Sequence, residues 1–99
     1  MAYDVRIAPA AERAIAKLPA AVKVAVFKEL EQLADEPHPS SCEKVRGLGQ
    51  YDVFRIKVER DYRIIYQVRD VAVWILVLKV ADRKEVYRRI NELKRLLQR

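Results

Sequence analysis

Five side chains in the second half of this 99-residue chain have the chemistry to handle a phosphate: Arg55, Lys57, Arg63, Arg83 and Tyr87. A guanidinium presents paired N–H donors to phosphate oxygens and stabilises negative charge as it develops there. A lysine set among guanidiniums can serve as a general base. Tyr87, one helical turn after Arg83, falls on the same helix face, where a phenol can stack on a splayed base or donate a proton. The same residue types also make an ordinary solvated sheet face, with Tyr87 turned into a core. Residue chemistry alone leaves both readings open.

Three of the five must be positioned by strands. Phe54, Ile56 and Val58 alternate with Arg55 and Lys57, and Tyr62, Ile64 and Tyr66 alternate with Arg63, Ile65 and Gln67. Strand side chains point to the two faces with period two, so one face can build a core while the other gathers cations. Parity then sets the loop between them. Residues directly opposite in an antiparallel pair share a face. A two-residue loop would set Val58 against Arg63 and mix both faces. A three-residue loop, residues 59–61, sets Val58 against Tyr62 and Lys57 against Arg63. Only an odd loop sorts apolar from basic, and a one-residue slip would reverse the sorting. Like charges held directly opposite are destabilising, which points to use on an anion.

The remaining elements follow from patterning. Tyr3, Val5 and Ile7 alternate as a short strand, and Pro9 suits the first turn of a helix carrying Ala11, Ala14, Ile15 and Leu18. Val22, Val26, Leu30 and Leu33 form the apolar stripe of a second helix over residues 20–35, antiparallel to the first. Residues 36–43 read as a loop, and residues 44–48 as a short strand before the Gly49-Gln50 turn. Strands follow over residues 51–58, 62–68 and 71–80. The last is almost continuously apolar and β-branched, as a central strand covered on both faces would be. From Arg83 the spacing of Val86, Ile90, Leu93 and Leu97 returns to that of a helix. The order is β-α-α-β-β-β-β-α, one α+β domain over residues 1–99 built on a mostly antiparallel twisted sheet, with an N-terminal strand, a helical hairpin and a C-terminal helix.

Composition agrees with a folded domain: 52% of residues are hydrophobic and only two are glycine. The net charge of +6 is unevenly placed. Residues 1–48 carry seven basic and seven acidic side chains, whereas residues 49–99 carry thirteen and seven. That asymmetry suggests a face that meets a polyanion. The longest apolar run, residues 71–78, is far shorter than the ~18 residues of a membrane span. The N-terminus lacks a secretory pattern, and the single Cys42 cannot form an internal disulfide, so the cytoplasm is the expected compartment. His38 stands between prolines without partners at metal-ligand spacing. Trp74 lies inside the apolar strand and is expected in the core.

Taken together, Lys44-Val-Arg-Gly-Leu, Phe54-Arg-Ile-Lys-Val, Tyr62-Arg-Ile-Ile-Tyr-Gln-Val and Arg83-Lys-Glu-Val-Tyr87 resemble the RelE/ParE superfamily of bacterial and archaeal toxins. Within it they are most similar to the RelE-like messenger-RNA endonucleases. The resemblance covers nearly the whole chain, and the tyrosine–arginine strand is its most specific part. It implies the RelE-like fold and a metal-free, cofactor-free endoribonuclease that cleaves mRNA in the ribosomal 30S A site and inhibits translation. Carried over, Arg55 and Lys57 match the basic pair, with Lys57 as base. Arg63 matches the phosphate-stabilising arginine, Arg83 the leaving-group arginine, and Tyr87 the tyrosine that orients or stacks on the substrate. Asp82 precedes Arg83 and can pair with it. The implied partners are mRNA, the ribosome and an acidic, RelB-like cognate antitoxin, with operator DNA reached only through the antitoxin complex and no membrane. A ParE-like inhibitor of DNA gyrase is the alternative, and a catalytically silent relative that only binds RNA or antitoxin is another.

Overall fold

A computed structural model describes residues 2–45, 52–70, 74–82 and 85. Its elements run β1 (Asp4–Ile7), α1 (Pro9–Ala16), α2 (Ala20–Asp35), β2 (Glu43–Lys44), β3 (Val53–Val58), β4 (Tyr62–Arg69) and β5 (Trp74–Asp82). One five-stranded sheet has the order β1-β5-β4-β3-β2. The β1–β5 pair is parallel, and the other three are antiparallel. The α+β class and mostly antiparallel sheet are those expected. Apart from Glu85, the predicted C-terminal helix, with Arg83 and Tyr87, lies outside the described residues, as do residues 46–51 and 71–73.

Local chemistry sets the helix ends. Pro9 occupies the first turn of α1, where its missing N–H costs nothing, and Ala8 before it is extended. Pro37 follows the C-cap Glu36 of α2, whose backbone is likewise extended (φ −138°, ψ 93°) and cannot continue the helix. The N–H of Tyr3 donates to the carbonyl of Ala34 at 2.7 Å, so α2 ends beside the start of β1. Among the described helices, none is long and apolar enough to cross a membrane.

Both sheet faces are covered, unequally. Ile56, Val58, Ile64, Tyr66, Val68, Ile75, Val77 and Val80 pack with Ala11, Ile15, Val26, Leu30 and Leu33 of the helices in the main core. The opposite face holds a smaller cluster of Val45, Val53, Ile65, Leu78 and Ala81. Strand β5 thus contributes to both, as its continuous apolar run predicts. It also carries one extra residue: Ile65 pairs with Lys79 but Tyr66 with Val77, a bulge that skips Leu78. The second face is therefore not a cationic surface throughout. Val53 and Ile65 are fully buried on it, and Arg55, Lys57 and Arg63 gather at the end near the β3–β4 hairpin.

That hairpin has the odd loop that parity requires. Val58 pairs with Tyr62 and Lys57 with Arg63, leaving residues 59–61 as the turn. Glu59 takes a left-handed backbone conformation (φ 52°), uncommon for a residue with a Cβ, to reverse the chain.

Candidate functional site

The site forms where β2, β3 and β4 lie side by side. Glu43 pairs with Arg55, and Lys57 with Arg63, so all four side chains leave the same face. With Ser41 they line a depression of about 180 Å³. Directly opposite residues in such a pair have Cβ atoms roughly 5 Å apart, so Lys57 and Arg63 can contact one anion together.

Each cation is held differently. Arg55 is half-buried, and its Nη2 donates to Oε2 of Glu43 at 2.7 Å. Arg63 is half-buried too. Its Nη1 donates to the backbone carbonyls of Tyr62 at 3.0 Å and Arg60 at 3.2 Å, which anchors the guanidinium to the hairpin. Lys57 is exposed. The Glu43 carboxyl is held below its ordinary range, chiefly by the hydrogen bond and charge of Arg55, with Arg63 and Lys57 adding to it. The depression thus gathers three basic side chains around one carboxylate.

Of the five residues singled out by sequence, the structure brings Arg55, Lys57 and Arg63 together. Arg83 and Tyr87 lie outside the described residues. Asp82, at the end of β5, accepts the backbone N–H of Glu85 at 2.9 Å, the contact an N-cap makes to the third residue of a helix. Glu43 and Ser41 escaped sequence reasoning. Residue 43 stood at the end of a presumed loop, whereas β2 begins there.

Two other side chains differ from, or add to, expectation. Trp74 is not a core residue: it is half-buried on the second face, with the Arg6 guanidinium 5.3 Å and the Arg69 guanidinium 5.8 Å from its ring centroid. Its neighbours come from strands remote in sequence, which an apolar run cannot reveal. His38 stands edge-on to Phe54, with ring centroids 4.9 Å apart, and its Nε2 is 3.7 Å from Asp70.

Comparison with known proteins places these features in context. The family described as the ParE toxin of type II toxin–antitoxin systems, parDE, matches residues 5–87. The RelE–RelB complex of the archaeon Pyrococcus horikoshii OT3 is 31% identical, with a TM-score of 0.73, over 84% of this chain and 97% of that one. A mutant of the E. coli toxin RelE in the free state is also 31% identical, with a TM-score of 0.73, over 88% and 92% of the two chains. The toxin–antitoxin complex RelBE2 of Mycobacterium tuberculosis is 26% identical, with a TM-score of 0.71, over 84% of this chain and 100% of that chain. No curated protein sequence matches.

Proposed function

Since this chain belongs to the RelE/ParE superfamily of type II toxins, we propose that it is the RelE-like kind, an endoribonuclease that cuts mRNA in the ribosomal A site. The observation that carries the reading is the Lys57–Arg63 cross-strand pair opening, with Arg55, into one depression. In the proposed reaction the ribose 2′-oxygen attacks the adjacent phosphorus. Lys57, as the neutral amine, takes the 2′-hydroxyl proton, a 2′,3′-cyclic phosphate forms, and the bond to the 5′-oxygen breaks, that oxygen taking a proton from water to leave a 5′-hydroxyl. Arg63, fixed on the hairpin carbonyls, is preorganised to stabilise the extra negative charge on the phosphorane-like transition state. Arg55 assists once the scissile phosphate replaces Glu43 in its fork. Arg83 supports the leaving oxygen, and Tyr87 stacks on the substrate base. A lowered Glu43 pKa makes this carboxylate a poor base, because a general base works best with a pKa near the operating pH. Its role is to balance Arg55 in the empty site.

The physiological partner is an acidic antitoxin that covers the cationic end of the sheet. Its precedent is the RelB chain in the archaeal complex. A second reading is favoured by one finding, the match to the ParE family: inhibition of DNA gyrase by binding, without RNA chemistry. One experiment separates the two. Induction in bacteria followed by mapping of mRNA ends gives codon-phased cuts if the nuclease reading holds. Growth arrest with intact mRNA and trapped DNA breaks would replace it with the gyrase reading.

A further inference from the structure

Trp74 is the only tryptophan in the chain. It opens β5 opposite Arg69 of β4 and Asp4 of β1, and Arg6 stands two residues along β1 on the same face. The two guanidiniums that approach its ring, at 5.3 and 5.8 Å from one centroid, are no more than about 11 Å apart. The indole thereby orients two planar cations whose edges face solvent. Both arginines are exposed. Asp4 engages only the Nε of Arg6, at 3.1 Å, which leaves its terminal nitrogens outside that contact. Among the described residues Arg69 has no carboxylate partner. Asp70 beside it points to the other face, where it accepts the Tyr3 hydroxyl at 2.6 Å.

This group shares a sheet face with the first site but does not merge with it. Arg63, Ile65, Gln67 and Arg69 follow each other at period two along β4, so Arg63 and Arg69 are roughly 20 Å apart. Between them Ile65 and Val53 are fully buried, a covered apolar ridge that separates two cationic ends. Two guanidiniums held at the indole, at one end of a face whose other end gathers three basic side chains, offer a separate place for backbone phosphates of an extended strand.

We propose that Arg6, Trp74 and Arg69 form a second RNA site, which grips the phosphate backbone of single-stranded RNA away from the scissile step. The site extends the RNA reading of this protein, yet it is tested by binding alone, so its failure and the failure of the nuclease reading are distinguishable. Because Trp74 is the sole indole, its emission reports directly on occupancy. Titrating the full chain with single-stranded oligouridylate produces a saturable change in Trp74 emission. Arg6→Ala/Arg69→Ala weakens that binding about tenfold and lowers the slope of log affinity against log salt by roughly 1.4, the loss expected for two phosphate contacts. Arg6→Lys/Arg69→Lys keeps the slope and loses severalfold in affinity, because an ammonium neither stacks nor forks. Emission unmoved by RNA would overturn the proposal, as would affinity and slope unchanged in the double alanine variant. A response abolished by Arg63→Ala instead would assign the RNA to the first site. A response to an acidic protein partner alone would make the group a protein contact. Either result rejects the second RNA site.

Discussion

Neighbouring residues of β4 live in opposite worlds. Ile64 and Tyr66 are fully buried against the helices, and the Tyr66 hydroxyl donates to the carbonyl of Pro37 at 2.9 Å. Arg63, one residue from Ile64, opens into a depression with Lys57 directly across from it. Holding those like charges opposite each other costs at most about 1 kcal/mol. Burying a single large aliphatic side chain contributes roughly 1.5–3 kcal/mol. The core face therefore dictates the register, and the odd hairpin loop carries the cations to their places as a consequence. Stability and chemistry are thus assigned to opposite faces of the same two strands, and substitutions should separate them.

The largest separation is expected at Lys57. Lys57→Ala, on an exposed position, should lower cleavage of mRNA on programmed ribosomes by about 10²–10⁴-fold, the usual contribution of a general base. Its thermal unfolding midpoint should not fall below the parent value, because the like-charge pair is relieved. Ile64→Ala should do the reverse. Chemical denaturation should show a loss of about 2–5 kcal/mol for a cavity in a closed core, while any protein that remains folded still cleaves.

A smaller effect is expected at Tyr66, where burial first, and then the nearby Cys42 and Glu29, hold the phenol above its usual range. Tyr66→Phe leaves the buried Pro37 carbonyl without its donor and should cost about 1 kcal/mol. The sign of its pH dependence is fixed. A group whose folded pKa is raised stabilises the fold fully below its unfolded pKa, about 10 for tyrosine, and that contribution fades as pH rises towards the folded value. Alkaline denaturation curves should therefore fall less steeply above that point in Tyr66→Phe than in the parent. Smallest is Glu43→Gln, which removes the carboxylate beside Arg55. RNA affinity should rise a few-fold, with a salt slope steeper by roughly 0.7. A collapse of cleavage with unchanged binding would instead make Glu43 the base.

How much of this was legible depended on whether a feature was local or cross-strand. The apolar stripe Val22, Val26, Leu30 and Leu33 and the flanking prolines marked α2 at the bounds observed. The Lys57–Arg63 pairing was legible because one short loop links the partners and parity allows a single answer. Glu43 was not, because its place depends on pairing across residues 45–52, and a two-residue strand has too few side chains to show alternation. Trp74 was misread for a related reason. An apolar strand signals burial, but Arg6 and Arg69 reach the ring from two different strands, and their placement follows from the sheet order β1-β5-β4. Alternation groups Ile65 with Arg63 and Gln67 on the face expected to gather cations, whereas with Val53 it belongs to a second core.

The central claim is that Lys57 and Arg63 act together on one phosphate, and a double-mutant cycle on mRNA-programmed ribosomes tests it most directly. The parent should yield 5′-hydroxyl and 2′,3′-cyclic phosphate ends in the A-site codon. The double variant Lys57→Ala/Arg63→Ala should then be no slower than the slower single variant, as for residues that work as a unit. Losses that simply multiply, or a parent protein that leaves mRNA uncut, would contradict it.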